Sequence, residues 1–241
     1  MDKMSAEALL AGNTYPGRGI IVGRSGDGES AVVVYFIMGR SENSRNRVFT
    51  KKCDGLVTEA ADAAKMKDPS LIIYSPVRVL GYETIVTNGD QTDTIYNALC
   101  EGGDFISALR TREFEPDAPN FTPRISGIVH IDGGTMACAL SILKTDGEHS
   151  ERCMRYFYEY AAPIAGEGRL IHTYDEDGDP LPSFVGEPRR ISLEGAESAK
   201  ALAQRVWESL NRDNRVALFA RFINIKTGRR DDEIINRFKK I

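Results

Sequence analysis

The chain has 241 residues, 41% of them hydrophobic and 27% charged, with 31 basic against 35 acidic side chains for a net charge of −4. Ordinary apolar content with little net charge excludes a disordered chain, and the balance argues against a general nucleic-acid binder, which carries a Lys and Arg excess over the whole domain. The longest apolar run spans about eight residues against the roughly twenty that cross a bilayer, so a soluble cytoplasmic protein with no membrane partner is expected.

In chain order, the period of the apolar residues predicts mostly strands. Segments 19–24 and 31–39 are apolar runs joined through Ser25, Gly26, Asp27, Gly28, Glu29 and Ser30, the composition of a tight hairpin. Gly39 to Arg47 then reads as a loop carrying Arg40, Arg45 and Arg47 after a buried strand. Guanidinium forks of that kind bind phosphate or carboxylate oxygens at two points. Tyr74 ends the apolar run Leu71-Ile72-Ile73 as a phenol at a strand end. A second hairpin is predicted over 77–80 and 84–87.

Asn88-Gly89-Asp90-Gln91-Thr92-Asp93-Thr94 follows, a turn into a helix whose free N–H groups suit an anion or a polar ligand. Thr92 and Asp93 are equally good as plain capping residues. No GxxxxGK[ST] or GxGxxG occurs, which removes the common nucleotide loops. Helices are predicted over 92–100 and 105–112, broken at Gly102-Gly103.

From Glu113 to Arg124 three prolines forbid a continuous helix, so Glu113, Glu115, Asn120, Thr122 and Arg124 sit on a bent loop of the kind that carries catalytic groups. A third hairpin is expected over 125–131 and 136–143, then strands at 153–160, 169–174 and 215–225. In the last strand both faces are largely apolar: Val216, Leu218, Ala220, Phe222 and Asn224 on one, Ala217, Phe219, Arg221, Ile223 and Ile225 on the other. Such a strand is buried between layers. A helix over 198–210 shows a stripe of Ala199, Leu202, Ala203, Val206 and Leu210, and a short amphipathic helix is expected over Glu233 to Lys239.

The sum is an α+β protein, sheet packed on sheet with helices outside, read as one domain with an insertion or extended hairpin around 146–188. Four cysteines without a CxxC pair and three scattered histidines offer neither a disulfide framework nor zinc-ligand spacing, so reduced thiols are expected. His130 and His172 lie in apolar alternations and read as packed side chains.

Taken in order, several pieces resemble the archaeal-type IMP cyclohydrolase family. They are Gly17-Arg18-Gly19-Ile20, the Arg40 to Arg47 segment, Asp68-Pro69-Ser70-Leu71-Ile72-Ile73-Tyr74, Thr87-Asn88-Gly89-Asp90-Gln91-Thr92-Asp93-Thr94-Ile95, and Asn120-Phe121-Thr122-Pro123-Arg124. Gln91 departs from the His that the family often has in that turn. The resemblance implies a four-layer αββα fold similar to the N-terminal-nucleophile hydrolases, without their self-exposed nucleophile.

It implies a cyclohydrolase that closes the purine ring of a formamido-imidazole-carboxamide ribonucleotide, with no metal or redox cofactor and a purine ribonucleotide as its small-molecule partner. Under it, Arg47 polarises a reacting oxygen or holds phosphate, Tyr74 is the hydroxyl donor and Glu115 moves the proton. Arg18, Arg40 and Arg45 are phosphate candidates, Asn88, Gly89, Thr92 and Asp93 contact base or ribose, and Arg124 orients Glu115. The family's habit also points to a homo-oligomer. A non-catalytic purine-nucleotide-binding protein, or an amidohydrolase of the same architecture, remains the alternative.

Overall fold

In the computed structural model, which describes residues 4–66, 69, 73–147 and 149–240, an α+β arrangement is built on two seven-stranded, mainly antiparallel sheets. The first runs, in spatial order, β1 (Met4–Ser5), β12 (Arg189–Ser192), β11 (Glu167–His172), β2 (Arg18–Arg24), β3 (Ser30–Met38), β13 (Arg215–Asn224) and β14 (Arg230–Asn236). The second runs β10 (His149–Tyr160), β9 (Thr135–Asp146), β8 (Arg124–Asp132), β7 (Glu83–Thr87), β6 (Val77–Leu80), β5 (Gly55–Ala60) and β4 (Arg47–Lys52). Among the described strands β1 and β12 form the one parallel ladder.

The three predicted hairpins are present as β2–β3, β6–β7 and β8–β9. β3 explains its own unbroken apolar run. Ala31, Val33, Tyr35 and Ile37 face the core between the sheets, while Val32, Val34, Phe36 and Met38 face a second core. With both faces covered, no position of the strand gains from being polar. Opposite Phe36 in the register stands Gly19, where a Cβ would fall 2.1 Å from the phenyl ring.

Helices cover the outer faces. Ser5 caps α1 (Ala6–Ala11) and Ser198 caps α5 (Ala199–Ser209), each accepting from the backbone N–H three residues on. Leu10, Leu202 and Val206 pack onto Ile21, Val34 and Leu218 of the first sheet. Burying each such side chain contributes about 1.5–3 kcal/mol. On the second sheet α3 (Gln91–Cys100) and α4 (Phe105–Arg110) set Ile95, Phe105 and Leu109 against Ile85, Ile128 and Leu143.

The structure corrects several expectations. The segment expected as a C-terminal helix over Glu233 to Lys239 is largely strand β14, paired with β13 from Ile223↔Arg230 to Ala217↔Asn236. A turn at Gly228, with φ of +69°, folds it back, and the ladder offered by β13 outweighs a short run of weak helical period. Segment 40–47 is not a plain loop. Ser41 caps the short helix α2 (Glu42–Arg45) through a capping box, and Arg47 opens β4 of the β4–β5 hairpin, which the apolar pattern did not reveal.

At Val216 a bulge interrupts the pairing of β13 with β3, so this side chain joins Ala217 in the core between the sheets instead of sharing the face of Leu218. His130 is not a packed ring: it is half exposed and bonded through Nδ1 to Glu83 at 2.7 Å. His172 is packed, edge-on to Phe184, with Nδ1 bonded to the Tyr174 carbonyl at 2.8 Å. Burial lowers its pKa to about 4. The apolar run before Tyr74 falls mostly outside the described residues.

Candidate functional site

At one end of the two sheets, strand starts and loops from both converge. β2 brings Arg18 and β3 brings Tyr35 from the first sheet, and the segment after β11 brings Tyr174. β4 brings Arg47 and the segment between β5 and β6 brings Tyr74 from the second. The 113–124 loop adds Glu115 and Thr122 before it enters β8 at Arg124. Tyr35, Arg47, Glu115 and Tyr174 are each no more than 2% exposed, and Tyr74 is 9% exposed.

Each side chain has an identifiable support. Arg47 donates from Nε to the Ser44 carbonyl at 2.8 Å and from Nη2 to the Met38 carbonyl at 3.3 Å. Tyr74 is pinned through its backbone, which exchanges hydrogen bonds with Thr58 of β5 at 2.9–3.0 Å. Its hydroxyl meets that of Tyr35 at 2.6 Å. Glu115 N–H donates to the Thr122 carbonyl at 2.9 Å, which closes the loop on itself. The Thr122 hydroxyl donates to Asp117 at 2.5 Å, so it accepts from Tyr174 at 2.6 Å.

The electrostatics are uneven. Arg18 lies 3.7 Å from Glu115. Burial pushes the Glu115 carboxyl above its usual range, against the pull of Arg18, Arg124 and Arg47. Burial and then the neighbouring Arg18 cation lower Arg47. Burial also raises Tyr35 and Tyr74, and carries Tyr174 to about 12. Burial alone would lower Arg18, but Glu115 and the three phenols hold it well above its ordinary value. Among the described residues Arg18 Nε, Arg47 Nη1 and Glu115 Oε2 have no hydrogen-bond partner. Buried polar atoms are normally satisfied, so three orphans in one cluster mark groups held for something other than each other.

Of the residues named from sequence, the fold thus gathers Arg18, Arg47, Tyr74 and Glu115, with Arg124 beside them. Arg124 Nη1 donates to Asp90 at 2.6 Å and to Gln91 at 2.7 Å, and its charge acts on Glu115. Gly89 lies beneath this group, where a Cβ would stand 2.6 Å from Arg124 Nη1 and 3.5 Å from Glu115 Oε1. Arg40 sits farther out, donating to Asp177 at 2.7 Å and stacked over Tyr15, whose ring stacks on Tyr174.

The others are employed elsewhere. Arg45 binds the Gly39 carbonyl and Asn214. Asn88 ties the turn to β8 through the Pro123 carbonyl and the Ile125 N–H. Thr92 bonds Thr87 and the Gly89 carbonyl, while Asp93 pairs with Arg78 on the helix exterior.

Tyr35 and Tyr174 were missed. For Tyr35 a signal existed, since it is the sole hydroxyl within the apolar run 31–38. A cavity of about 680 Å³ lies elsewhere, between the α3–α4 pair and β8–β10, lined by Glu83, Phe105, His130, Cys138, Glu159 and Tyr160 among others. It offers carboxylates and apolar walls where the sheet-end cluster offers guanidiniums.

An α+β protein of two antiparallel sheets, holding buried guanidinium, phenol and carboxyl groups without full partners, has the makings of an enzyme for a small polar substrate. The chain belongs to the IMP cyclohydrolase-like family, whose sequence profile matches residues 15–228. It is 26% identical to the IMP cyclohydrolase of Methanopyrus kandleri over 192 residues, 70% of this chain and 89% of that enzyme. With that of Methanothrix thermoacetophila the identity is 27% over 197 residues, covering 80% and 85%. With that of Methanosphaera stadtmanae it is 33% over 124 residues, covering 49% of this chain and 59% of that protein.

Proposed function

We propose that this chain is an IMP cyclohydrolase: it closes 5-formamidoimidazole-4-carboxamide ribonucleotide to inosine monophosphate and water in purine biosynthesis. The observation that carries the reading is the buried meeting of Arg47, Tyr74 and Glu115, with a guanidinium N–H and a carboxylate oxygen unsatisfied, inside the matched segment.

The chemistry asks for three things. An amide nitrogen is a poor nucleophile, so the carboxamide must be held against the formyl carbon; in favourable intramolecular systems such orientation supplies up to roughly 7–11 kcal/mol. As the C–N bond forms, the formyl oxygen gains charge. The Arg47 N–H and the Tyr74 hydroxyl are the donors that stabilise it. Glu115 takes the proton leaving the carboxamide nitrogen and passes it to that oxygen, giving a hydroxyl. The hydroxyl then departs as water with the proton of the former formamide nitrogen, and the ring becomes aromatic.

Burial raises the Glu115 pKa, which makes its carboxylate a stronger base than an exposed one for taking the proton. Arg18 and Arg124 hold the carboxyl in place electrostatically, and Arg40 at the rim, with Arg18, is the candidate phosphate contact. Asn88, Gly89, Thr92 and Asp93 build the turn beneath the site, with the Gly89 backbone nearest to the substrate. In this reading the whole chain forms one domain, stacked αββα as in the N-terminal-nucleophile hydrolases, and works in the cytoplasm on a free nucleotide.

Supplying the formylated substrate and following the ultraviolet absorbance of the product tests the reading. Turnover is expected in the wild type. Tyr74→Phe should lower kcat by about 10–100-fold with product affinity nearly intact. A wild-type protein that binds the product nucleotide but forms none would leave a binding protein instead of an enzyme.

A further inference from the structure

The Tyr35–Tyr74 contact assigns a role to a residue that the ring-closure chemistry does not itself call for. Two hydroxyls 2.6 Å apart share one hydrogen bond, and each brings one proton. Whichever phenol donates into the contact leaves the other phenol's proton to find a separate acceptor. Tyr35 has no exposed surface, and among the described residues its hydroxyl meets Tyr74 alone. The charged side chains acting on it are Arg18 and Arg47, which can only donate. Were Tyr74 the donor, the Tyr35 proton would be buried facing cations with no acceptor. With Tyr35 as donor the free proton is that of Tyr74, on which the Glu115 carboxyl acts as well as Arg47 and Arg18, so this proton has a candidate acceptor that the Tyr35 proton lacks.

We propose that Tyr35 is a positioning residue for the ring closure: its hydroxyl donates to Tyr74 Oη, which leaves the Tyr74 proton aimed at the formyl oxygen. This rests on the cyclohydrolase reading above. The placement is rigid on both sides. In the sheet register Tyr35 stands between Ile20 and Phe219, and its ring lies 5.6 Å from that of Phe49. Tyr74 is fixed through its backbone to β5. A hydroxyl that accepts a hydrogen bond becomes a stronger donor, so Tyr35 both aims the Tyr74 proton and polarises it. Burial raises both phenols, so both keep their protons at neutral pH.

The test is a double-mutant cycle on the full chain. Tyr35→Phe keeps the ring that fills the core and is expected to lower kcat about tenfold, with KM and product affinity within about twofold. On the Tyr74→Phe background the same change should cost nothing further, because Tyr35 acts only through Tyr74. Equal losses on both backgrounds, an undiminished kcat in the single variant, or a loss confined to KM would each overturn the proposal. Placing 3-fluorotyrosine, a stronger donor of nearly the same shape, at position 35 should hold kcat at the wild-type level or above; a loss there counts against it.

A readout independent of turnover uses protein labelled with ¹³Cζ-tyrosine. Without the Tyr35 donor, the Tyr74 phenol should titrate at higher pH in Tyr35→Phe than in the wild type. An unchanged titration, or a shift to lower pH, would mean that the Tyr35 hydroxyl gives Tyr74 no hydrogen bond, and the proposal fails. If the wild type forms no product, the cyclohydrolase reading fails while this titration still reports whether the Tyr35 hydroxyl acts on Tyr74.

Discussion

Arg47 and Arg221 are both guanidiniums with almost no exposed surface, each with Nη1 unpaired, yet their surroundings differ. Arg221, on β13, forks onto Asp232 of β14 at 2.7 and 2.9 Å, and Lys51 of β4 adds a second cation to the same carboxylate at 2.9 Å. Burial alone would raise Asp232, but its bonds to Arg221 and Lys51 hold it below the usual carboxylate range. Among the described residues Arg47 bonds to the Ser44 and Met38 carbonyls alone, and after burial the largest influence on it is the like charge of Arg18. The first cluster is compensated and belongs to the framework. The second holds two buried guanidiniums, Arg18 and Arg47, against the single carboxyl of Glu115, an excess of positive charge that disfavours folding and is retained where a substrate supplies the missing partner.

Three substitutions sharpen that contrast, the largest effect first. Glu115→Gln should lower kcat about 10²–10⁴-fold while product affinity stays within a few-fold, as followed by ring-closure absorbance and calorimetric titration. Because Glu115 must be ionised to take the first proton and burial raises its pKa, wild-type activity should fall as pH drops through a value above the ordinary carboxylate range. An acid limb at or below that range would remove Glu115 from the role.

Asp232→Ala should do the reverse. Leaving Arg221 buried without its partner costs about 3–5 kcal/mol of stability, read from urea unfolding, while kcat per folded molecule stays unchanged. A variant that loses turnover but not stability would erase the distinction between the two clusters.

His172 supplies a third measurement. Its folded pKa of about 4 against an unfolded value near 6.5 means that the neutral ring is the one the fold accepts. The stability it contributes is complete above about pH 6.5 and falls as pH drops toward 4, by an amount on the order of 3 kcal/mol. His172→Gln should flatten that part of the stability–pH curve. An unchanged slope would show that other groups set it.

Much of the fold was legible because local rules and burial agreed. Gly81, Gly133 and Gly134 sit at positive φ in the turns of the second and third predicted hairpins, and the 3.6-residue stripe of α5 lies against the first sheet. The β4–β5 hairpin was not legible, since Lys51, Lys52, Asp54 and Glu59 interrupt its apolar alternation on the exposed side. The last strand was misread for a related reason: β14 is an edge strand whose polar positions meet Arg221 and Lys51, so its pattern carries no period-2 signal. Arg47, Tyr74 and Glu115 were legible from residue type at strand ends and on a proline-bent loop, and Arg18 through the family resemblance, none of them through periodicity. The resemblance could not separate them from Asn88 and Thr92, which lie in another matched string but spend their hydrogen bonds on the turn.

By itself the amino-acid order determined which segments are strands with two buried faces, where hairpins turn and which family the chain resembles. These depend on neighbours a few residues apart and on side-chain type. Only the tertiary structure decided that the Arg40 and Arg45 guanidiniums have acceptors of their own while Arg47 is buried short of one, and that Tyr35 on one sheet touches Tyr74 from the other. Partners 39 residues apart in sequence meet only when two sheets pack face to face, and whether a buried charge is compensated depends on everything that packing brings within reach.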